Sequence, residues 1–122
     1  MIIEIDFDSD EALYMQLRNQ IIIGIATKHF NDGDSLPSVR KMADEIGINM
    51  HTVNKAYALL KSEGFLTVDR RSGAIIKVDI NEEKTRQELL QALQLIVAKA
   101  SCKNISRREV HRIVDSIYDS FQ

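Results

Sequence analysis

The sequence has few of the residues that stabilise small secreted proteins or build metal sites. Its 122 residues include one cysteine, one proline and no tryptophan. A lone Cys102 cannot form an intramolecular disulfide or a multi-cysteine metal site, and it suits a reducing compartment. No apolar run approaches the roughly 18 residues of a transmembrane helix, and residues 1–10 are acidic where a signal peptide is basic. We therefore expect a cytoplasmic protein that has no membrane partner.

Sequence motifs of catalysis are missing as well. The chain contains no GxSxG, phosphate-binding loop, GxGxxG or HExxH motif. Its three histidines, His29, His51 and His111, do not have the spacing of metal ligands, and Cys102 has no histidine near it in sequence. We therefore predict that the protein is not an enzyme and that it has no catalytic residues, no metal site and no cofactor.

The net charge of -2 hides an uneven distribution of charged residues. Residues 1–34 carry two cationic and seven acidic side chains, and residues 79–122 carry seven of each. Residues 35–78 carry seven cationic and four acidic side chains, a balance of +3. Such clustering favours a polyanion such as nucleic acid as the partner, although a solvated helix face produces the same bias.

Hydrophobic periodicity predicts an extended start followed by a long helix. Residues 3–8 alternate apolar and polar side chains, as a short extended segment or strand does. Ser9 or Asp10 can cap the helix that follows. Apolar residues then recur every three or four positions from residue 12 to about residue 28, which predicts a helix with one packed face.

Two shorter helices follow, separated by a tight turn. The only proline, Pro37, precedes Ser38, a natural N-cap, and Gly47 ends the helix that Ser38 begins. Asn49 can cap a third helix, whose apolar face repeats up to Gly64. A short helix, a tight turn with glycine and a longer helix with a free outer face form a helix-turn-helix.

After Gly64 the apolar period changes from 3.6 residues to 2. Residues 65–68 and 74–78 are predicted strands, and residues 69–73 form a hairpin tip with two adjacent arginines. The N-terminal part is therefore a winged helix-turn-helix.

A polar linker over residues 79–85 leads to two more helical patterns, and a capping box at Ser106 starts the second. The predicted fold class is mainly α with a small β wing. The winged helix-turn-helix domain would occupy residues 1–79, and a two-helix tail would occupy residues 80–122.

Side chains that could contact DNA fall on three parts of the N-terminal domain. The third helix presents small polar groups that can hydrogen-bond base edges and a methionine that can touch a thymine methyl. The second helix begins with cations that oppose its macrodipole, which a phosphate would explain. The hairpin tip offers two arginines, Ser72 and a glycine to phosphates or the minor groove. The predicted DNA-binding residues are Ser38, Arg40, Lys41, Asn49, Met50, His51, Thr52, Asn54, Lys55, Arg70, Arg71 and Gly73.

Each part also has a plain structural interpretation. The third helix could present an ordinary solvated face. Arg40 could form an exposed salt bridge with Asp44 or Glu45, which contributes little to stability. The hairpin tip could be a polar turn in which Gly73 supplies a positive φ.

Three runs of residues resemble the GntR family of bacterial transcription regulators. Residues 36–43 match its Leu-Pro-Ser-x-Arg-x-Leu-Ala pattern, residues 48–57 its Thr-Val pair in the recognition helix, and residues 60–66 its Glu-Gly before the wing. Residues 12–17 are similar to the opening of the family's first helix. The resemblance covers about residues 10–78.

The resemblance implies roles at particular positions. Arg40 matches the family's DNA-contacting arginine of helix two, and Ser38 matches a serine that meets the DNA backbone. Asn49, His51 and Thr52 match the start of the recognition helix, which reads or grips the operator.

Some positions depart from the family pattern. Met42 replaces the usual leucine, and Met50 lies where arginine or proline is common. In the wing, Gly73 matches the glycine that approaches the minor groove, but residues 72–75 replace the familiar Gly-x-Gly-Thr-Phe. The change at Met42 should be harmless, and the departures at Met50 and in the wing affect base reading and wing docking rather than the fold.

The short tail resembles the YtrA type of the family, in which the tail forms the homodimer. Most relatives carry a large effector domain, whereas 42 residues follow Ile80 here, and we expect two helices not to enclose a pocket of about 300 Å³ or more. Their apolar stripes would be exposed unless paired. The predicted dimerisation residues are Leu89, Leu93, Ile96, Val97, Ala100, Val110, Ile113, Val114, Ile117 and Phe121.

Together these patterns predict a transcription regulator that binds double-stranded DNA in a sequence-specific way. We expect a repressor that occupies a pseudo-palindromic operator as a homodimer. The sequence identifies no small-molecule effector. One alternative is a winged-helix module that binds another protein through its third helix; the other is a small-molecule-responsive regulator or enzyme that uses a dimer cleft.

Overall fold

A computed structural model describes residues 3–71 and 73–122. The described chain divides into two units, Met1–Asp79 and Ile80–Gln122. Its helices and strands are α1 Leu13–Ala26, α2 Val39–Ile46, α3 Met50–Ser62, β1 Leu66–Asp69, β2 Gly73–Ile76, α4 Glu82–Cys102 and α5 Arg107–Ser120.

The segment before α1 is not a strand, so that alternative for residues 3–8 is wrong. Its backbone is held by a buried glutamine of α1 instead: the Gln16 side chain accepts a hydrogen bond from the Asp6 N–H (2.9 Å) and donates to the Asp6 carbonyl (3.0 Å). The expected caps are wrong as well. The N-cap of α1 is Ala12, and the Ser9 hydroxyl accepts from the nearby Glu11 N–H outside the helix.

The core of the first unit is built around α3. This helix packs against α1, α2 and β1, because its apolar side chains repeat every three or four residues and so face inward on one side. Leu17 and Ile21 of α1 belong to the same core as Val53 and Leu60 of α3, and all four are fully buried. The outer face of α3 is thereby left to solvent.

Local capping signals start and stop α2 and α3 where the sequence predicts. The Ser38 hydroxyl accepts from the Lys41 N–H (3.2 Å), and the Asn49 side chain accepts from the His51 N–H (2.7 Å). Gly47 ends α2 in the left-handed region, with φ of 73°. A side chain at Gly47 would strain this conformation, so the tight turn between the two helices depends on glycine.

The wing is an antiparallel hairpin in which Leu66 pairs with Ile76 and Asp69 with Gly73. Both strands differ slightly from prediction, with β1 one residue later and β2 ending at Ile76. The structure also shows a partner that the sequence did not reveal: the segment before α2 lies along β2. The Leu36 N–H donates to the Ala74 carbonyl (2.8 Å), and the Ile76 N–H donates to the Asp34 carbonyl (2.9 Å). These bonds join the wing to the start of α2.

The second unit consists of α4, α5 and the turn between them. The Ser106 hydroxyl caps α5 by accepting from the Glu109 N–H (3.1 Å), as predicted, while the Glu109 carboxylate forms an ion pair with Arg112 (3.1 Å). No residue of either helix is buried, and α4 and α5 are not packed against each other along their length. Among the described residues, no helix is long and apolar enough to cross a membrane.

Candidate nucleic-acid interface

The twelve predicted DNA-binding residues all lie in the first unit, on α2, α3, their caps and the wing. Eleven are exposed, and Thr52 is partly buried. The core of this unit lies on the opposite side of α3. Packing within the chain therefore does not explain why these side chains occur at these positions.

A shallow depression lies where the first turns of α2 and α3 meet. Its lining residues are Val39, Asn49, Met50, His51 and Asn54, and its volume is about 550 Å³. We call this set the α2–α3 hollow. It presents two amides, an imidazole and a thioether to solvent, and side chains of these kinds can contact base edges in a major groove.

The start of α2 carries two exposed cations, Arg40 and Lys41. Within the described residues neither forms an ion pair, so the salt bridge that could have explained Arg40 is absent. Positive charge near a helix N-terminus is unfavourable to the macrodipole, and an anion bound there would remove this cost.

The wing tip presents Arg70 and Arg71 to solvent. The Asp69 carboxylate accepts a hydrogen bond from the Arg71 N–H (2.8 Å), which shapes the turn. Gly73 has φ of 70° with open space where a side chain would begin, so its backbone conformation by itself explains the glycine. Ser72, the fourth predicted wing residue, lies outside the described residues.

Comparison with known proteins then decides the family. Residues 11–76 match the family described as bacterial regulatory proteins, gntR family. The chain belongs to the GntR family. GntR proteins are DNA-binding transcription regulators rather than enzymes, as the sequence predicts.

Relatives of similar length support a YtrA-like member of this family. The HTH-type transcriptional repressor YtrA of Bacillus subtilis is 32% identical over 94% of this chain and 91% of its own. A solved structure of YtrA from Sulfolobus acidocaldarius, a GntR-family transcription factor, is 39% identical, with a TM-score of 0.64 over 77% of this chain and 99% of that chain.

The fold has a further match in a solved structure described as a transcriptional antiterminator from Listeria monocytogenes. Its TM-score is 0.91, and the match covers 99% of this chain and 92% of that chain. At 21% identity, this likeness shows the fold alone. The predicted mainly α winged-helix fold is confirmed.

In this GntR domain, Tyr57 orients the start of α2. Its hydroxyl donates a hydrogen bond to the Pro37 carbonyl (2.7 Å), directly before the Ser38 cap. Burial, with a smaller contribution from the Glu45 carboxylate, raises the pKa of the Tyr57 phenol above its usual value. The sequence placed Tyr57 on the buried face of α3, but it gave no signal for this contact with a residue 20 positions earlier.

Lys55, one of the predicted DNA contacts, lies apart from the other predicted residues of α3. Its ammonium nitrogen lies 4.1 Å from the centre of the Tyr14 ring on α1, a cation–π contact. The side chain does not line the α2–α3 hollow. Lys55 therefore flanks the outer face of α3 on the side of α1.

The tail of this GntR protein leaves its predicted dimerisation residues uncovered. Seven of the ten are exposed, and Ala100, Val110 and Phe121 are partly buried. A groove of about 620 Å³ lies between α4 and α5, with Leu93 and Val97 on one side and Val114 on the other. It is larger than the sequence led us to expect, because the helices are not packed along their length, and it is open rather than enclosed.

Proposed function

We propose that this GntR regulator is a repressor that binds a pseudo-palindromic operator as a homodimer. The first unit would contact the duplex through α2, α3 and the wing, and the second unit would pair two copies. The observation that carries the proposal is the outer surface of α2 and α3, where exposed cations without ion pairs in the described chain flank side chains suited to base edges.

The charges on this surface support binding to the DNA backbone. Arg40 and Lys41 project from the start of α2, and Arg70 and Arg71 from the wing tip. Phosphate contacts by such side chains supply affinity that does not depend on base sequence. Val39, which lines the α2–α3 hollow, directly precedes Arg40 in the sequence. The hollow would supply the base contacts. In a winged helix-turn-helix, α3 would enter the major groove.

The tail supports homodimerisation because it cannot bury its own apolar side chains. Leu89, Leu93, Ile113 and Ile117 are each about half exposed in the single chain. A surface with this many exposed apolar side chains is typical of an interface. Pairing with a second copy is isologous, so the two recognition helices would meet two similar half-sites of one operator.

Repression is supported by the likeness to YtrA of Bacillus subtilis, which is named a transcriptional repressor and matches almost the whole chain. A dimer on an operator that overlaps a promoter would exclude RNA polymerase by occupying the same DNA. The protein would then act in the cytoplasm, where bacterial DNA lies.

The test is binding to the DNA upstream of the protein's own gene. Replacing Arg40 with Ala should weaken binding at least tenfold at physiological salt and make the salt dependence less steep by about one phosphate contact. The matched control is Lys84→Ala, which removes an equal charge from the first turn of α4, away from its apolar stripe. Equal affinity of the Arg40 variant and the wild type would contradict the proposed contact.

Footprinting the wild-type protein on the same DNA tests the operator. We expect protection of two inverted half-sites whose centres are about one helical turn, or a multiple of it, apart. Protection of a single half-site would contradict the homodimer, and binding without any protected sequence would contradict the repressor.

A further inference from the structure

We infer that the α2–α3 hollow reads an A·T base pair in each half-site. Met50 and Val39 would contact the thymine methyl, and the Asn54 amide would pair with the adenine. The inference rests on the proposed function, in which α3 enters the major groove, and it adds the identity of the base pair.

Met50 gives the hollow an apolar contact that the fold does not require. It is the first residue of α3, 43% exposed, and it is not part of the hydrophobic core of the first unit. Val39, the first residue of α2, is partly buried and lines the same hollow. In a major groove, the thymine methyl is the apolar group available to such a surface.

Asn54 has both polar atoms of its side chain available. It lies four residues after Met50 and therefore on the same side of α3. Its side chain makes no hydrogen bond to another described residue. A free asparagine amide can pair with adenine through two hydrogen bonds, donating to N7 and accepting from N6.

The neighbouring residues of the hollow do not compete for this role. The Asn49 side-chain oxygen Oδ1 already accepts from the His51 N–H at 2.7 Å, because it caps α3. The His51 ring can donate to either purine at N7, so it does not distinguish them.

The hollow also lacks the side chains that most often read guanine. No arginine or lysine is among its described lining residues. The nearest lysine on the helix, Lys55, places its ammonium over Tyr14. Arginine and lysine supply the commonest specific contact to guanine O6 and N7, so their absence here favours adenine over guanine.

The first experiment removes one methyl group from the DNA. Duplexes selected by the wild-type protein from a random library supply the site, and each thymine of one half-site is then replaced by uracil. At one position this should weaken wild-type binding about fourfold, since a buried CH₂ or CH₃ group contributes about that factor. The other thymines of the half-site serve as controls and should be neutral.

The same uracil series with Met50→Ala assigns the contact to a residue. Alanine is a good helix former at this exposed position, so the fold should be retained. The variant should bind the thymine duplex about as weakly as the wild type binds the uracil duplex, with no further loss on uracil. A uracil penalty that persists in the variant would overturn the assignment to Met50.

The adenine contact is tested with 7-deazaadenine, which lacks N7. Substitution at the adenine paired with the sensitive thymine should weaken wild-type binding about tenfold. Asn54→Ala should abolish this penalty. An undiminished penalty in the variant would overturn the role of Asn54.

Two outcomes separate this inference from the proposed function. A selected site at which every uracil substitution is neutral would overturn the A·T reading and leave the DNA-binding regulator intact. Failure to select any sequence from the library would overturn both.

Finally, Met50→Arg should select guanine at the sensitive position, whereas retention of the same A·T pair would contradict the inference.

Discussion

The two units of this chain differ in what they bury. The first unit encloses a continuous core that includes Leu17, Ile21 and Leu60, all without solvent exposure. The second unit has comparable apolar residues, yet none of its described side chains is buried. This chain thus combines a domain whose core is buried within one copy with two helices whose apolar side chains are left uncovered in the single chain.

Amphipathic helices by themselves do not reveal where their apolar faces are covered. In the first unit, α1 and α3 pack on each other and on α2 and β1. In the second unit, α4 and α5 have apolar stripes of similar spacing without close mutual packing. The stability of the first unit should therefore be independent of protein concentration, and that of the second should depend on it.

The largest expected effect is the loss of the proposed dimer in Leu93→Glu. Burying a carboxylate in an apolar interface is costly, and a symmetric dimer contains the change twice, so we expect dimerisation to weaken by at least about 100-fold. Sedimentation equilibrium measures this directly. The control, Gln91→Glu, adds the same charge on the opposite side of α4. A Leu93→Glu protein that stays dimeric would contradict the pairing of two copies through the second unit.

Next in size is the destabilisation expected from Gly24→Ala in α1. A methyl group at Gly24 would lie 2.6 Å from Cδ2 of Phe30, whose ring is buried against the helix. We expect the free energy of unfolding to fall by about 1–3 kcal/mol despite the better helix propensity of alanine. Urea denaturation at two protein concentrations should show the same change.

Adding Phe30→Leu to the Gly24 variant supplies the control. The smaller, flexible side chain should relieve the contact, so the two changes together should cost less than the sum of the single changes. Additive costs would show that the close approach of Phe30 is not the reason for the glycine.

A smaller effect is expected from Tyr57→Phe, which leaves the Pro37 carbonyl without its donor. The unfolding free energy should fall by about 1–2 kcal/mol near neutral pH. The control is Tyr118→Phe in the second unit, whose ring is 67% exposed. Equal stability of the Tyr57 variant and the wild type would show that the bond contributes little.

The same residue predicts a pH dependence. The pKa of Tyr57 is raised above 10.0 in the folded state, so its stabilisation is complete below pH 10.0 and is lost as the pH rises above it. The unfolded chain releases the phenol proton first and is thereby favoured. Denaturant titrations between pH 9 and about 11 should show a steeper loss for the wild type than for Tyr57→Phe.

The smallest expected effect is a gain in stability from Lys28→Gly. Lys28 follows α1 with φ of 67°, a conformation that strains a side chain. After the entropic cost of glycine, we expect a gain of about 0.5–1 kcal/mol. Ala26→Gly, two residues earlier in the helix, should lose about 1 kcal/mol. A loss at both positions would contradict the strain at Lys28.

Local features of the fold were predictable because they depend on neighbouring residues. Ser38 and Asn49 cap their helices through bonds to an N–H two or three residues away, and Gly47 ends α2 through its own φ. The start of α5 at Ser106 follows the same rule. Within the candidate site, these caps determine where α2 and α3 begin and hence which side chains lie at their first turns.

Contacts between distant positions were not predictable in this way. The extended start satisfies its backbone through Gln16 rather than through a strand, and Tyr57 bonds to Pro37 across 20 residues. Lys55 lies against Tyr14 because α1 and α3 are packed side by side. Each depends on how two elements meet, and periodicity specifies which side of a helix is apolar but not which neighbour covers it.

Local residue patterns predict the order of the elements and the turns between them, and they indicate the GntR family. These properties follow from side-chain capping, glycine conformation and motif residues that act over a few positions. The tertiary structure places residues 33–36 along β2 and brings Val39, Met50 and Asn54 around one hollow, which no local pattern specifies. It also decided that α4 and α5 leave their apolar faces uncovered, because burial depends on the positions of all neighbouring elements in space.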